Sequence, residues 1–417
     1  VGIEIPNVTK STVGLATLFG NEEYRSSAKP LLLALGKAIS GKSIFANLSK
    51  MPHLLIAGAT GSGKSVTIHA LVSSLLFRNS MENLKFIMID PKRVELTLYN
   101  QIPHLLTPVI TDPKKSILAL KWAAKEMDRR YDILEAESVR DIDSYHKNIV
   151  EPALKKLSGK EEQNAKMPET MPYIVIIIDE LADIMTSYPR EMESAIVRLA
   201  QMSRAVGIHL ILSTQRPSVN VITGLIKANI PARIALQVSS QIDSRTILDS
   251  GGAEKLLGAG DMLFISGEMS KPQRIQSGYV TEVEVKRVVK YLKENYREYL
   301  LDQINIGQES GQPESGSSIF ESISESDEID DDLYEAAREA VLQARKASTS
   351  YLQRKLRVGY ARAARLMDIL EERSVIGPSD GSKPREVYGE AESASLQPKE
   401  STAEKDEDDT PKHSEQV

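Results

Sequence analysis

The eight residues Gly58–Ser65, with the sequence GATGSGKS, constrain the fold of this chain more than any other stretch. They match the phosphate-binding spacing G-x-x-x-x-G-K-[ST], and they lie between an apolar run, His53–Ala57, that predicts a buried strand and a helical pattern, Val66–Phe77. Glycines let the backbone curl so that successive N–H groups face one anion, and the helix N-terminus adds a favourable dipole. A glycine-rich turn is the alternative, but the strand–loop–helix context favours nucleotide binding.

We expect this loop to bind ATP together with Mg²⁺. Lys64 would neutralise the β- and γ-phosphates, and the Ser65 hydroxyl would ligate the metal ion. The predicted nucleotide-binding residues of the loop are Gly58, Ala59, Thr60, Gly61, Ser62, Gly63, Lys64 and Ser65.

Length and composition limit the remaining possibilities. With 417 residues, 41% of them hydrophobic, the chain is long enough for two or three domains with a sizeable core. The absence of cysteine excludes disulfides and thiolate metal sites. The longest apolar run, Tyr173–Ile178, is far shorter than the ~18 residues of a membrane span, and no signal peptide is present. We expect a soluble, cytoplasmic chain that is a piece of something longer, since it starts at Val1.

The net charge of −6 is unevenly distributed along the chain. Residues 308–332 carry nine acids and no base, and residues 389–417 carry nine acids and three lysines. These two segments together have a charge of −15, so the rest of the chain has a charge of +9. Both segments are too polar to bury a core, and the basic remainder is compatible with nucleic acid as a partner.

Strand and helix patterns alternate over residues 50–300 and predict a doubly wound α/β domain. Within it, the continuous apolar run Tyr173–Ile178 predicts a central parallel strand that is buried on both faces. The charged residues 151–171 predict an exposed excursion. The other predicted elements are a hairpin of Leu31–Gly36 and Ser43–Leu48, strands at Lys85–Ile89, Ile208–Leu212, Ala232–Val238 and Asp261–Ile265, and helices at Asp112–Val139 and Pro189–Val206.

Two acids that end the central strand fit the second half of an ATPase site. Asp179 would hold Mg²⁺ through water, and Glu180 would polarise the attacking water. Taken alone, such a pair is more often a solvated helix N-cap, but the phosphate-binding loop favours the catalytic interpretation. Gln215 ends another strand and could contact the γ-phosphate or be an ordinary polar strand end. Arg204, near the end of a helix, could reach a neighbour's nucleotide in an oligomer or be a solvated side chain.

Residues 332–389 have the pattern of a winged helix-turn-helix. Between Leu342 and Tyr388 there are ten bases and five acids, which favours DNA binding over the alternative of a protein-contact domain. Three helices are predicted: the first at Leu333–Lys346, a short second one that follows a capping signal at Ser348–Ser350, and the third at Tyr360–Arg373. Two wing strands are predicted at Val375–Ile376 and Arg385–Tyr388. In the third helix the apolar face is Ala363, Leu366, Met367 and Leu370. The predicted DNA contacts are Arg362, Arg365 and Asp368 on the opposite side of that helix, and Lys383 and Arg385 on the wing.

Several long motifs follow one another in order along the chain. They are GIEIPN, MPHLLIAGATGSGKS, FIMIDPKRVEL, IPHLLT, IIIDELADIM, GIHLILSTQRPSVNVITGLIKANIPARIALQVSS, DSRTILD and GAGDML in residues 1–300, and LQRKLRVGYARAARLMDILEERSVIGPSDGSKPREV within residues 332–389. Together they resemble the FtsK/SpoIIIE family of DNA translocases. The second region is similar to the family's γ domain, and its wing is closer to that of the SpoIIIE-like branch of Gram-positive bacteria.

The resemblance implies a RecA-like P-loop NTPase domain with a parallel central sheet, plus a small C-terminal winged helix-turn-helix domain. It implies a homohexameric ring that pumps double-stranded DNA with ATP, in chromosome segregation at division or sporulation. Arg204 would be the arginine finger in trans, and Arg216, Lys227 and Arg245 would face the central pore. The γ domain would recognise oriented DNA sequences and could activate a site-specific tyrosine recombinase. The parent protein would be anchored in the membrane at the division septum.

Three residues depart from the family pattern. Ala361 replaces an asparagine that can bond adenine, and Asp368 replaces a longer glutamate, so the recognised sequence is expected to differ from that of the asparagine-bearing members. Gln241 stands where a basic residue was expected and removes one pore charge.

The resulting domain prediction has five parts. They are a β-rich N-terminal part of the motor (1–50), the ATPase motor (51–303), an acidic disordered linker (304–331), the γ domain (332–389) and a disordered acidic tail (390–417). Two functional alternatives remain open: a conjugation-type coupling ATPase or single-strand helicase, and a transcriptional regulator in which ATP is a switch.

Overall fold

The apolar runs of the first 300 residues become strands of one sheet. The computed structural model describes residues 11–158 and 168–296, and in the C-terminal part residues 337–342, 344, 347–356, 363, 366–367, 370–371, 375–377 and 387. The strands are β1 (Leu32–Ala38), β2 (Ser43–Asn47), β3 (His53–Ala57), β4 (Leu84–Ile89), β5 (Tyr173–Ile178), β6 (Ile208–Thr214), β7 (Ala232–Leu236), β8 (Asp261–Ile265) and β9 (Gln273–Ser277). Their order across the sheet is β2-β1-β9-β8-β7-β3-β6-β5-β4.

Helices connect these strands. The α-helices are α1 (Leu15–Phe19), α2 (Glu22–Ser26), α3 (Lys64–Arg78), α4 (Pro113–Ala136), α5 (Ile142–Tyr145), α6 (Glu151–Ser158), α7 (Leu181–Ser187), α8 (Pro189–Met202), α9 (Gly224–Asn229), α10 (Gln241–Leu248) and α11 (Glu282–Asn295). Turns of 3₁₀-helix occupy Thr97–Tyr99 and Ala253–Lys255, and a π-helical stretch occupies His146–Val150. Among the described residues, no helix is both long and apolar enough to cross a membrane.

One half of the sheet is parallel and holds the candidate site. The strands β4, β5, β6, β3 and β7 are neighbours in that order, and each pair is parallel. All residues of β3, β5 and β6 are buried, which explains why these strands are mainly apolar rather than alternating. Because the carboxyl ends of parallel strands meet at one edge, the loops after β3, β5 and β6 come together there.

The other half of the sheet is antiparallel. It consists of β8, β9, β1 and β2, joined to the parallel half through the β7–β8 pair. The predicted hairpin of the N-terminal part is confirmed as β1–β2, but this part also contains the two short helices α1 and α2, which the pattern did not indicate. The hairpin belongs to the same sheet as the nucleotide loop, because β1 pairs with β9.

Several predicted boundaries need correction. Helix α8 ends at Met202 rather than Val206, because the chain turns there to enter β6, and β6 continues to Thr214 rather than Leu212. The predicted exposed excursion over residues 151–171 begins as helix α6 (Glu151–Ser158), in which Glu151, Pro152, Leu154 and Lys155 are exposed, as predicted.

The long helix α4 is held at both ends by specific contacts. Its N-cap is Asp112, whose side chain accepts a hydrogen bond from the Lys115 backbone N–H at 2.9 Å. Near its other end the buried Arg130 donates to the Val206 carbonyl at 2.9 Å and pairs with Glu126 at 2.7 Å. These bonds satisfy a buried charge that would otherwise be costly.

The C-terminal unit, residues 324–417, has its own small core. Helix α12 (Thr349–Leu356) starts after Ser348, whose hydroxyl accepts from the Tyr351 N–H at 3.3 Å, as the capping signal predicts. The predicted apolar face of the third helix is confirmed: Ala363, Leu366, Met367 and Leu370 are all buried in this core. An antiparallel bridge between Ile376 and Val387 joins the two predicted wing strands.

Candidate nucleotide-binding and catalytic site

The loop after β3 has the backbone of an anion cradle. Gly61 and Gly63 adopt φ angles of +80° and +100°, and helix α3 begins directly afterwards at Lys64. A Cβ on Gly63 would lie 2.4 Å from the backbone nitrogen of Gly260, in the turn before β8. That turn also donates from Gly260 N–H to the Ser62 carbonyl at 2.8 Å. The antiparallel half of the sheet therefore supports the loop from outside.

Lys64 is buried at the junction of three loop ends. Its Nζ donates to Asp179 Oδ1 at 2.8 Å, to the Asp179 carbonyl at 2.9 Å and to Ser213 Oγ at 2.8 Å. The side chains of Lys64 and Asp179 are 3% and 1% exposed, so the ion pair is shielded from water. The structure thus joins the predicted phosphate-binding lysine to the predicted metal-binding acid, although they are 115 positions apart.

Asp179 and Ser65 both offer oxygen atoms at this edge. Burial raises the pKa of Asp179, and the neighbouring Lys64 partly offsets this effect. The Ser65 hydroxyl donates to Glu95 Oε1 at 2.6 Å, and Glu95 Oε2 lies 3.6 Å from His69 Nε2. His69 lowers the pKa of Glu95, with Ser65 adding to the effect, so Glu95 is held as a carboxylate.

Glu180 is fully buried and held on several sides. It occupies the N-cap position of α7, but its side chain does not cap that helix, so the simple N-cap interpretation is wrong for this residue. Its Oε1 accepts from Thr214 Oγ1 at 2.7 Å, and the Gln215 N–H lies 3.2 and 3.1 Å from its two oxygens. Lys92 Nζ lies 3.1 Å from Oε2. The carboxylate thus faces the end of β6 rather than open solvent.

Gln215 connects this carboxylate to the phosphate-binding loop. Its backbone N–H contacts Glu180, while its side-chain Oε1 accepts a hydrogen bond from Thr60 Oγ1 at 3.0 Å. Only the second contact depends on the glutamine side chain, and it joins the end of β6 to the loop. Gln215 therefore lies where a change in the loop can reach Glu180.

Four residues of this edge were not given a role from the sequence. They are Lys92, Glu95, Ser213 and Thr214. Each lies at or just beyond the carboxyl end of β4 or β6, the strands beside Asp179 and Lys64. A rule that examines every polar residue after each parallel strand would have found them.

Arg204 lies at the opposite edge of the sheet. It is exposed in the turn before β6, near the buried His53 and His209, whose pKa values it helps to lower. The seven residues of β6 separate it from the Lys64 edge, a span of roughly 20 Å. Arg204 is thus remote from the nucleotide loop of its own chain.

The predicted pore residues occupy three different surroundings. Arg216 is exposed directly after β6, and Arg245 is exposed on α10. Lys227, on α9, pairs with Asp249 at 2.7 Å, and Asp249 also pairs with Arg233 at 2.6 Å. Gln241 is exposed at the first position of α10.

The predicted DNA contacts of the C-terminal unit lie outside the described residues. These are Arg362, Arg365, Asp368, Lys383 and Arg385, and the departing residue Ala361 lies outside as well.

The residues present fit a nucleotide with a metal ion. Ser62 Oγ in the cradle is buried and has no hydrogen-bond partner among the described residues, which leaves it available to a ligand. Within the described ranges, no three His, Asp or Glu side chains form a dedicated metal cluster. Ser65 and Asp179 offer the oxygen atoms that Mg²⁺ prefers, and this ion usually takes only one or two protein ligands.

Comparisons with known proteins agree with this geometry. Two family models match, the FtsK/SpoIIIE family over residues 14–219 and the Ftsk gamma domain over residues 328–390. DNA translocase FtsK of Clostridium tetani is 52% identical over 93% of this chain and 49% of its own length. DNA translocase SpoIIIE of Bacillus subtilis is 49% identical over 93% of this chain and 46% of its own length.

A solved structure gives the same result for the fold. The conjugation coupling protein TcpA of pCW3, a monomer form with ATPgS, has a TM-score of 0.53 and 28% identity, over 66% of this chain and 73% of its own. The chain spans about half the length of the curated relatives it matches. The sheet is that of a P-loop ATPase, and both family models fall in the expected order. The chain therefore belongs to the FtsK/SpoIIIE family.

Proposed function

We propose that the protein is an ATP-driven translocase of double-stranded DNA. The observation that carries this proposal is the edge where Lys64, Asp179 and Glu180 meet: a phosphate-binding loop whose lysine contacts a buried acid at 2.8 Å, beside a second buried acid. The similarity to proteins named DNA translocase supports DNA as the substrate.

The loop residues 58–65 hold the phosphates in this proposal. Backbone N–H groups at the start of α3 face the anion, and Lys64 exchanges part of its contact with Asp179 for the phosphate oxygens. Ser65 would ligate Mg²⁺ and Asp179 would hold it through water, and the bound ion would neutralise charge on the transferred phosphate. Glu180 orients and polarises the attacking water, and Gln215 contacts the γ-phosphate.

Arg204 acts on the neighbouring subunit in this proposal. It lies at the edge of the sheet opposite the loop of its own chain, so only an oligomer could bring it to a nucleotide. A ring of six subunits would satisfy this requirement at every site, with Arg216, Lys227 and Arg245 facing duplex DNA in the pore.

The C-terminal unit recognises oriented DNA sequences in this proposal. Its match to the γ domain and the basic charge of residues 342–388 support this role. Arg362, Arg365 and Asp368 would face base edges, and Lys383 and Arg385 would contact phosphates. A site-specific tyrosine recombinase as partner, and anchoring of the parent protein at the division septum, rest on the family resemblance alone.

The deciding experiment is ATP hydrolysis against the length of linear duplex DNA at a fixed concentration of base pairs. A translocase leaves at ends, so its rate should rise with length and then level off. Stimulation that is absent or independent of length would contradict movement and would favour a regulator in which ATP is a switch.

A coupling ATPase is the second candidate, because the structure resembles TcpA over 66% of the chain. A strand-separation assay distinguishes the two. A duplex translocase should hydrolyse ATP on duplex DNA without releasing single strands.

A further inference from the structure

The position of the Lys92 ammonium group, beside the predicted catalytic Glu180, indicates a role for this lysine. It follows β4 in the segment Asp90–Glu95, and its Nζ lies 3.1 Å from Glu180 Oε2 and 3.8 Å from Asp183 Oδ2. Glu180 is fully buried, whereas the side chain of Lys92 is 35% exposed. The lysine therefore lies on the solvent side of the buried carboxylate.

The carboxylate of Glu180 already accepts from three donors in this arrangement, one of which is shared between its two oxygens. A carboxylate accepts about four hydrogen bonds, two at each oxygen. Thr214 Oγ1 and the Gln215 N–H approach Oε1, while the same N–H and Lys92 Nζ approach Oε2. A water that is to give its proton to Oε2 must compete with Lys92 for that oxygen.

Lys92 is the partner that can leave most easily. Thr214 and the Gln215 backbone belong to the end of a buried strand, so they cannot move without disturbing β6. Lys92 has a long flexible stem and a second carboxylate, Asp183, within reach. A shift of the ammonium group from Glu180 toward Asp183 would free Oε2 and keep the lysine paired.

We propose that Lys92 is a positioning residue that restrains Glu180 in the resting subunit and releases it toward Asp183 when the site is activated. This inference rests on the proposed ATPase function and adds its regulation. The path for the signal is on the same edge, because Gln215 joins Glu180 to Thr60 of the nucleotide loop.

The test compares hydrolysis with and without duplex DNA. Lys92→Met keeps the stem and removes the charge, so hydrolysis without DNA should rise roughly two- to fivefold, the range expected for a partly exposed ion pair. The stimulation by DNA should fall by a similar factor. Lys92→Arg should restore the wild-type ratio. Lys286→Ala is the matched control, since it removes an exposed lysine paired with Glu282 and should change neither rate.

Asp183→Asn is the second variant, and it should act in the opposite direction. It removes the acceptor for the released lysine. The DNA-stimulated rate should therefore fall by a factor similar to that expected for Lys92→Met, while the rate without DNA should not change. Thermal melting checks that both variants fold. If Lys92→Met lowers both rates to the level of Glu180→Gln, or leaves both unchanged, the proposal is wrong.

Lysine labelling gives a readout that does not need turnover. Formaldehyde methylation of Lys92, followed by mass spectrometry, should increase several-fold with a non-hydrolysable ATP analogue and duplex DNA, while Lys286 stays constant. Unchanged labelling of Lys92 would overturn the proposal. A wild-type protein without ATPase activity would instead refute the proposed function, and labelling would still report on Lys92.

Discussion

At the two ends of the same parallel strands, buried ionisable side chains are in opposite states: charged at the carboxyl ends and neutral at the amino ends. At the carboxyl ends of β3, β5 and β6, Lys64, Asp179 and Glu180 stay buried as charges because each has ionic partners. At the amino ends, burial lowers the pKa of His53 to about 3 and that of His209 to about 4, so these side chains are neutral. One end is built to retain charge for chemistry, and the other avoids it.

The histidines at the amino ends form hydrogen bonds with the backbone rather than with ions. His53 Nδ1 accepts from the Leu210 N–H at 3.1 Å, His209 Nδ1 lies 2.8 Å from the Pro52 carbonyl, and the Tyr173 ring stacks on His209 at 6.3 Å. In the part of the chain that the structure describes, the Nε2 atoms of both histidines have no hydrogen-bond partner. A proton added to either ring would therefore be a buried charge without a carboxylate in contact.

Lys64→Ala gives the largest expected effect. DNA-stimulated hydrolysis should be abolished, because the phosphates lose their charged partner. The protein should also lose about 3–5 kcal/mol of stability, since Asp179 is left as a buried unpaired charge. Urea unfolding measures the loss, and adding Asp179→Asn should recover part of it. DNA binding by the C-terminal unit should not change. A Lys64→Ala protein that still translocates would show that this edge of the sheet is not the active site.

Glu180→Gln should have the second-largest effect. It should distinguish the loss of the chemical step from a loss of stability. The amide keeps the shape and can still accept from Thr214 and the Gln215 N–H, but it cannot take a proton. The hydrolysis rate should fall roughly 10²- to 10⁴-fold, whereas binding of a fluorescent ATP analogue should stay within a small factor. A variant that keeps more than about a tenth of the wild-type rate would mean that another group acts as the base.

Protonation of the two histidines at the amino ends of the strands should have a smaller effect on stability, which depends on pH. His53 and His209 have folded-state pKa values of about 3 and 4, below the unfolded value of 6.5, so the unfolded chain binds protons first as the pH falls. The free energy of unfolding should be constant above pH 6.5 and decrease progressively below it. Urea unfolding between pH 7.5 and about 4.5 measures this before most carboxylates titrate.

His209→Gln supplies the control for that experiment. It removes one of the two titrating rings, so the decrease in stability per pH unit should become shallower. An identical slope in both proteins would show that other groups cause the acid sensitivity.

The amino-acid pattern predicts the parallel half of the fold well. Buried parallel strands need continuous apolar residues, and Tyr173–Ile178 and His53–Ala57 carry that signal in their own sequence. The glycine-rich loop is equally local, because positive φ angles at Gly61 and Gly63 require glycine. These elements could be predicted because neighbouring residues alone determine them.

The remaining partners of the site depend on the strand order, which no local pattern contains. Lys92 meets Glu180 across 88 positions, and Gln215 meets Thr60 across 155. Arg204 could be assigned only through the family resemblance, because spacing does not reveal that it lies at the opposite edge. The short strand β9, with mixed polar residues, also gave no signal, since it is only partly buried at the junction with β1.

The position of β3 in the sheet also has a consequence for synthesis. Both of its neighbours, β6 and β7, come much later in the chain, and Lys64 precedes its partner Ser213 by 149 positions. At ribosomal rates of about 5–20 residues per second, β3 emerges roughly 8–30 seconds before a strand can pair with it. During that interval the four consecutive apolar residues Leu54–Ala57 and two unpaired edges are exposed to other nascent chains. The strand order that assembles the site thus makes it one of the last parts of the domain to fold, and we expect newly made chains to need chaperone protection until β6 is complete.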